Sequence, residues 1–112
     1  MTERRSYPRI WVARSVLYTK EAYPRLTLAS TLNLSMGGTK IESLYGLAKG
    51  DKLDITLGIE SRAIKCRGRV IYVVERENRK IRAGIEFEEL SAHDKLYLSQ
   101  YLSHLMEQPA VS

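Results

Sequence analysis

Arg4, Arg5 and Arg9 place three guanidinium groups within six residues near the start of the chain. A guanidinium presents a planar fork of donors that matches both a phosphate and the O6/N7 edge of guanine, a pairing that a lysine ammonium makes less well. Some two dozen residues later stands Asn33-Leu34-Ser35-Met36-Gly37-Gly38. On an extended strand the spacing of two puts the Asn33 and Ser35 side chains on one face and Leu34 on the other. Gly37 and Gly38 then supply a turn with backbone freedom other residues lack, and let a ligand come close to exposed N–H groups. The chemistry on offer is recognition of an anion, by cations and a small polar platform.

The placement of charge agrees with that reading. Of the net +5, all lies in residues 1–40, where seven Lys or Arg face only Glu3 and Glu21, while residues 41–112 hold eleven of each sign. The basic field therefore coincides with the two motifs and steers an anionic partner towards them. At 112 residues one domain is expected, and 44% hydrophobic with 28% charged residues is ordinary for a soluble globular chain. No apolar run reaches the eighteen or so residues of a membrane span and no secretory signal opens the chain, so a cytoplasmic protein is expected. The single cysteine, Cys66, excludes an internal disulfide.

The two motifs depend on the elements around them. Residues 1–9 lack periodicity, and Tyr7-Pro8 favours an extended or turn conformation; they read as an arm with nothing to tie it down before ligand arrives. Residues 10–18 have strand composition, with Arg14 awkwardly in the apolar register and a bulge near residues 13–15 expected to resolve it. Lone Trp11, beside Val12, reads as core. Leu26, Leu28, Ser30, Leu32 and Leu34 alternate with Thr27, Ala29, Thr31, Asn33 and Ser35, which predicts a strand whose leucine face is buried and whose polar face ends in the second motif. A short strand begins at Thr39, and Gly46 and Gly50 bracket a loop. Leu53 to Ile59 alternates cleanly. Ile64, Cys66, Gly68, Val70, Tyr72 and Val74 continue in period two, with Gly68 marking a bend, and Ile81 to Phe87 forms the last strand. Ser91 with Asp94 resembles a capping box that opens a helix with an apolar stripe of Leu98, Tyr101, Leu102 and Leu105. The expected fold is mainly β: a six-stranded antiparallel barrel over residues 10–90, preceded by the arm and followed by one helix over 91–107.

No catalytic constellation emerges. His93 and His104 lie about 16 Å apart along the helix, too far to share a metal, and Cys66 sits in the apolar register of its strand without a partner base. Glu86 and Glu88 share a strand face with Lys80 and Arg82, which reads as a solvated surface. No enzyme activity, cofactor or metal is expected.

An R-x-x-x-R segment followed by [D/N]-x-S-x-x-G at the start of a small β-domain resembles the PilZ domain family. Arg5 and Arg9 fill the first motif and Asn33, Ser35 and Gly38 the second, and the Gly84 to Phe87 strand followed by a polar helix is similar to the family's ending. The resemblance implies a bacterial receptor for the second messenger cyclic di-GMP. It implies that Arg5 and Arg9 hold phosphate and guanine, that Asn33 and Ser35 bond a second base, and that Gly37 and Gly38 let the turn approach it. An arginine just before the first motif, here Arg4, is associated in the family with two stacked ligands per chain. Output is then expected through an unidentified effector protein that responds when the arm becomes ordered. The alternatives are a basic barrel that binds single-stranded nucleic acid, for which interleaved aromatic and basic residues are not evident, and a protein-interaction module without a ligand.

Overall fold

The computed structural model describes residues 8–44 and 46–107. Arg4, Arg5 and the greater part of the expected arm lie outside the described residues. Seven strands follow in order, β1 (Ile10–Trp11), β2 (Ser15–Lys20), β3 (Thr27–Leu34), β4 (Gly38–Leu44), β5 (Lys52–Ile59), β6 (Arg62–Glu75) and β7 (Lys80–Leu90), and then helix α1 (Ala92–Glu107). All neighbours are antiparallel in the order β1-β3-β2-β5-β6-β7-β4, and the additional pairing of β3 with β4 closes the sheet. The result is a six-stranded barrel with one short extra strand, β1, which lies beyond the end of β2 along the same side of β3.

Closure follows from the residues. Leu53, Ile55, Leu57 and Ile59 of β5 and Ile64, Cys66 and Val70 of β6 are buried in strict alternation, so each strand contributes one face to a common interior. The turns between strands use local conformations suited to them: Glu60 takes positive φ in the β5–β6 turn, as do Asn78 and Arg79 before β7. Gly46 and Gly50 also take positive φ in the loop after β4. Gly68 stands where the β6–β7 register slips, and a Cβ there would lie 2.7 Å from Ile85 Cγ2 and 3.0 Å from Ile55 Cδ1. The bend expected at this glycine is present, and close packing explains it.

Helix α1 packs on the barrel through Leu98, Tyr101 and Leu102, the stripe seen in the sequence. Ser91 caps it, its Oγ accepting from the Asp94 N–H at 3.1 Å. Two polar pins fix its rotation. Tyr97 Oη donates to the Ile59 carbonyl at 3.1 Å, while Arg62 lies over the Tyr97 ring and pairs with Asp94 at 3.1 Å. Among the described residues no helix is long and apolar enough to cross a membrane.

Three expectations are corrected. Leu28 is 66% exposed and Leu26 is exposed too, while Ala29 and Thr31 are buried, so the first half of β3 has the opposite face inward. Its pairing with β2 requires this, because Ala29 is the partner of buried Val16. Arg14 does not turn out of the apolar register: its Nε donates to Tyr101 Oη at 2.8 Å, so the helix gives the guanidinium a partner. The expected irregularity is present, residues 12–14 opposing only residues 31 and 32, and Thr31 spans the gap, its Oγ1 donating to the Val12 carbonyl at 2.6 Å and accepting from the Arg14 N–H at 2.8 Å. Trp11, expected in the core, is 75% exposed.

Candidate ligand-binding site

Two bulges decide what the outside of the barrel displays. In β3 the pairs with β4 slip by one residue between Thr31 and Asn33, leaving Leu32 as the extra residue. Before the bulge Thr31 faces inward; after it Leu34 does, fully buried and paired with Ile10, which packs on the core. Asn33 and Ser35 therefore face outward, as their spacing predicted, although the leucines before them do not face inward. In β6 a slip between Val70 and Tyr72 leaves Ile71 as the extra residue, so Tyr72 and Val74, expected inside, are exposed.

The outward face carries a row of directly opposed residues across five strands: Trp11, Asn33, Lys40, Gly84 and Tyr72. Asn33 is only 4% exposed, because its neighbours cover it. Its Oδ1 accepts from Arg9 Nη1 at 2.8 Å and from the Lys40 backbone N–H at 3.3 Å. With the carbonyl oxygen held by two donors, the side-chain NH₂ is the part of Asn33 left to donate to a ligand. Thr39 Oγ1 donates to the Asn33 carbonyl at 2.7 Å, which fixes the backbone on the inner side.

Ser35 is committed to its own turn. Its N–H and its hydroxyl both donate to the Gly38 carbonyl, at 2.9 and 3.2 Å, and its Oγ accepts from the Gly37 N–H at 3.2 Å. A hydroxyl oxygen has two lone pairs, so one remains to accept from a ligand N–H. The turn is clamped to β7 as well, since the Phe87 N–H donates to the Gly37 carbonyl at 2.9 Å.

The reason for Gly38 differs from the one expected. It is not in the left-handed region; a Cβ there would stand 2.1 Å from the Ile85 carbonyl oxygen, so glycine is needed for β4 to approach β7. Its service to the site is indirect, through the position of the Ser35 turn.

An open groove of about 1370 Å³ begins beside Asn33, which does not itself line it, at Arg9, Ser35, Met36 and Gly37, and takes in Tyr72 and Phe87 among others. Its far wall is made of ion pairs, Arg69 with Glu86 at 3.1 Å and Arg67 with Asp54 at 3.4 Å, so those arginines are already neutralised. Arg9, by contrast, is held by a neutral amide and keeps its charge uncompensated among the described residues. The bond also corrects the expectation that nothing ties residues 2–9 before ligand arrives: at Arg9 the tie exists. Cys66 is no nucleophile, because burial, and secondarily the Asp94 carboxylate, push its thiol up to about 12.

The sequence brought Arg9, Asn33, Ser35 and the glycines to notice. It did not single out Lys40, which opposes Asn33, or Tyr72, which lies further along the same row, since the bulges that set the row have no residue signature of their own.

The profile of the PilZ domain matches residues 3–104. No curated protein matches the sequence. Among solved structures, the fold is similar to the Bacillus subtilis inhibitor of motility MotI/DgrA at 25% identity and a TM-score of 0.72, covering 96% of this chain and 54% of that one. It is similar to the PilZ domain of Escherichia coli YcgR with cyclic di-GMP at 20% identity and a TM-score of 0.74, covering 93% of this chain and 92% of that one. The complex of MrkH from K. pneumonia with cyclic di-GMP superposes with a TM-score of 0.79 at 15% identity, over 95% of this chain and 54% of that one. The chain thus spans about half the length of MotI/DgrA and of MrkH, and nearly all of the YcgR domain.

Proposed function

This chain belongs to the PilZ domain family, whose members are non-catalytic receptors for cyclic di-GMP, and from that premise we propose how it holds the ligand. The dinucleotide lies on the outer face of the barrel over Asn33 and the Ser35 turn. Arg5 and Arg9 take phosphate and one guanine edge, with Arg4 adding a cation. Asn33 donates its free NH₂ to an acceptor of a second base, and the open lone pair of Ser35 accepts from a guanine N–H. Gly37 and Gly38 keep the turn low beneath it. The observation that carries this reading is the 2.8 Å bond between Arg9 and Asn33, which joins the two motifs on one surface.

Arg4 directs a second, stacked ligand to the same place, because two dinucleotides bring four phosphate charges together and an added cation offsets part of their repulsion. The signal passes through the arm. Arg9 is anchored already, so ligand has only to draw residues 2–7 across the site, and the altered surface is what an effector protein reads. Exposed Trp11 beside Asn33 keeps single-stranded nucleic acid as the second reading. One set of calorimetric titrations tests both, with cyclic di-GMP, GTP and a short single-stranded oligonucleotide as titrants. Tight binding of the first alone is expected; a chain that prefers the oligonucleotide would overturn the proposal. Hydrogen exchange tests the arm, where ligand is expected to protect the amides of residues 3–7 far more than those of β5. Equal protection with and without ligand would remove the switch.

A further inference from the structure

The leucines that open β3 serve neither motif, and they face solvent. Leu26 and Leu28 are each 66% exposed, and Leu17 of β2 is 37% exposed. Leu28 opposes Leu17, Leu17 opposes Thr56 of β5, and Thr56 opposes Lys65 of β6, so one row across four strands reads leucine, leucine, threonine, lysine. Leu17, Leu26, Thr56 and Lys65 all line the groove that begins at Arg9, and Leu28 extends its apolar surface beyond it.

The free charge around these leucines has one sign. The next row runs Thr19, Asp54, Arg67, and Arg67 takes both Asp54, at 3.4 Å, and Glu21, at 2.7 Å. On the other side Ser15 opposes Ser30 and Gly58 opposes Ala63, all small and uncharged. Lys65, and Arg25 beside Leu26, have no ion pair among the described residues.

We infer that this face docks an acidic amphipathic helix of a partner protein, with apolar side chains of the helix on Leu17, Leu26 and Leu28 and a carboxylate on Lys65. The inference does not depend on which ligand the Arg9–Asn33 end takes. An apolar sheet face is ordinarily covered by a helix, as α1 covers another part of this barrel. Lys65 stands two strand spacings, about 10 Å, from Leu17. On a helix, residues i and i+7 stand about 10.5 Å apart on one face, so an apolar residue and a glutamate at that spacing meet both at once. Cations without acids of their own favour an acidic partner and repel a basic one. An isologous contact with a second copy would set two such positive faces against each other.

The probe is a synthetic, fluorescein-labelled helical peptide with leucines at i, i+4, i+7 and i+11 and glutamates flanking them, titrated by anisotropy against the parent, Leu28→Ser and Lys65→Glu. One control peptide carries lysine for glutamate, the other serine for leucine. The parent is expected to bind the leucine–glutamate peptide and neither control. Leu28→Ser, at an exposed position, is expected to keep the thermal midpoint of the parent and to bind the peptide roughly five- to thirtyfold more weakly. Lys65→Glu is expected to weaken binding by a similar factor and to gain affinity for the lysine peptide. Equal binding by the parent and Leu28→Ser overturns the inference, as does a parent that binds the lysine peptide equally well or binds no peptide. Sedimentation of the parent as a dimer that Leu28→Ser returns to monomer gives the face to a second copy and overturns it too. Leu28-dependent binding to phosphatidylglycerol vesicles in place of the peptide gives the face to a membrane, with the same result.

Discussion

Arg9 and Asn33 are 24 residues apart in sequence and 2.8 Å apart in space, and the carbonyl oxygen of the one asparagine serves both that guanidinium and the Lys40 N–H. Before any ligand is present, each motif therefore holds the other in place. Arg9→Ala and Asn33→Ala are each expected to weaken cyclic di-GMP binding by roughly ten- to hundredfold, the value of about 1.5–3 kcal/mol for a hydrogen bond to a charged group. The double variant is expected to fall short of the sum, because removing either residue already releases the other. Four titrations complete the cycle; strict additivity would show that the bond does not organise the site.

Gly38→Ala is expected to destabilise the fold by at least about 2 kcal/mol, since its Cβ would meet the Ile85 carbonyl oxygen at 2.1 Å and backbone must move to admit it. Gly46→Ala, at a loop glycine with open space around it, is expected to cost about 1 kcal/mol from its positive φ alone. Urea unfolding of the two measures the difference. A small effect at Gly38 would mean that β4 can retreat from β7 without loss.

Trp11 is the only tryptophan of the chain and stands exposed opposite Asn33. Ligand over Asn33 is expected to change its fluorescence, with a dissociation constant equal to that from calorimetry, and Arg9→Ala is expected to move the fluorescence curve by the same factor. Emission that stays constant through saturation would put the ligand elsewhere on the barrel.

Titration of the parent is expected to saturate at two ligands per chain, and that of Arg4→Leu nearer to one. Saturation of the parent at one would remove the stacked pair and leave the site.

The thiol of Cys66 is raised from 9.0 to about 12 by burial and by Asp94. A group with its folded pKa above its unfolded one favours the fold fully below pH 9, and that contribution is lost as pH rises towards 12. The loss is on the order of 1 kcal/mol per pH unit within that window. Stability measured between pH 8 and 11 is expected to fall less steeply in Cys66→Ala than in the parent. In the folded parent at pH 8, alkylation of the thiol is expected to be much slower than in urea; equal rates would contradict the burial.

The sequence made β5, the first half of β6 and the helix stripe legible because each keeps one period from end to end. Asn33 and Ser35 were legible for the same reason over a short span. Misreading began wherever the period slips. The five-residue leucine alternation ran straight through Leu32, yet a strand that carries an extra residue there cannot keep one face inward on both sides of it. Arg14 was misread for another reason: its partner, Tyr101, is supplied by an element 87 residues away, and no local pattern announces such a contact. Trp11 and Tyr72 follow from these two failures, each being placed by a neighbour strand rather than by its own.

Leu32 acts as a phase marker for everything that follows it in β3. Were it taken into the ladder in regular alternation, with the strand before it unmoved, Leu34 would come round to solvent and Asn33 and Ser35 would turn into the barrel, where no guanidinium could reach them. The chain would keep all the letters of its second motif and display none of them. A search for receptors by motif alone would pass such a chain as intact, so the bulge at Leu32, which sets the phase between the last core position, Thr31, and the asparagine, is part of the recognition code, as much as the asparagine itself.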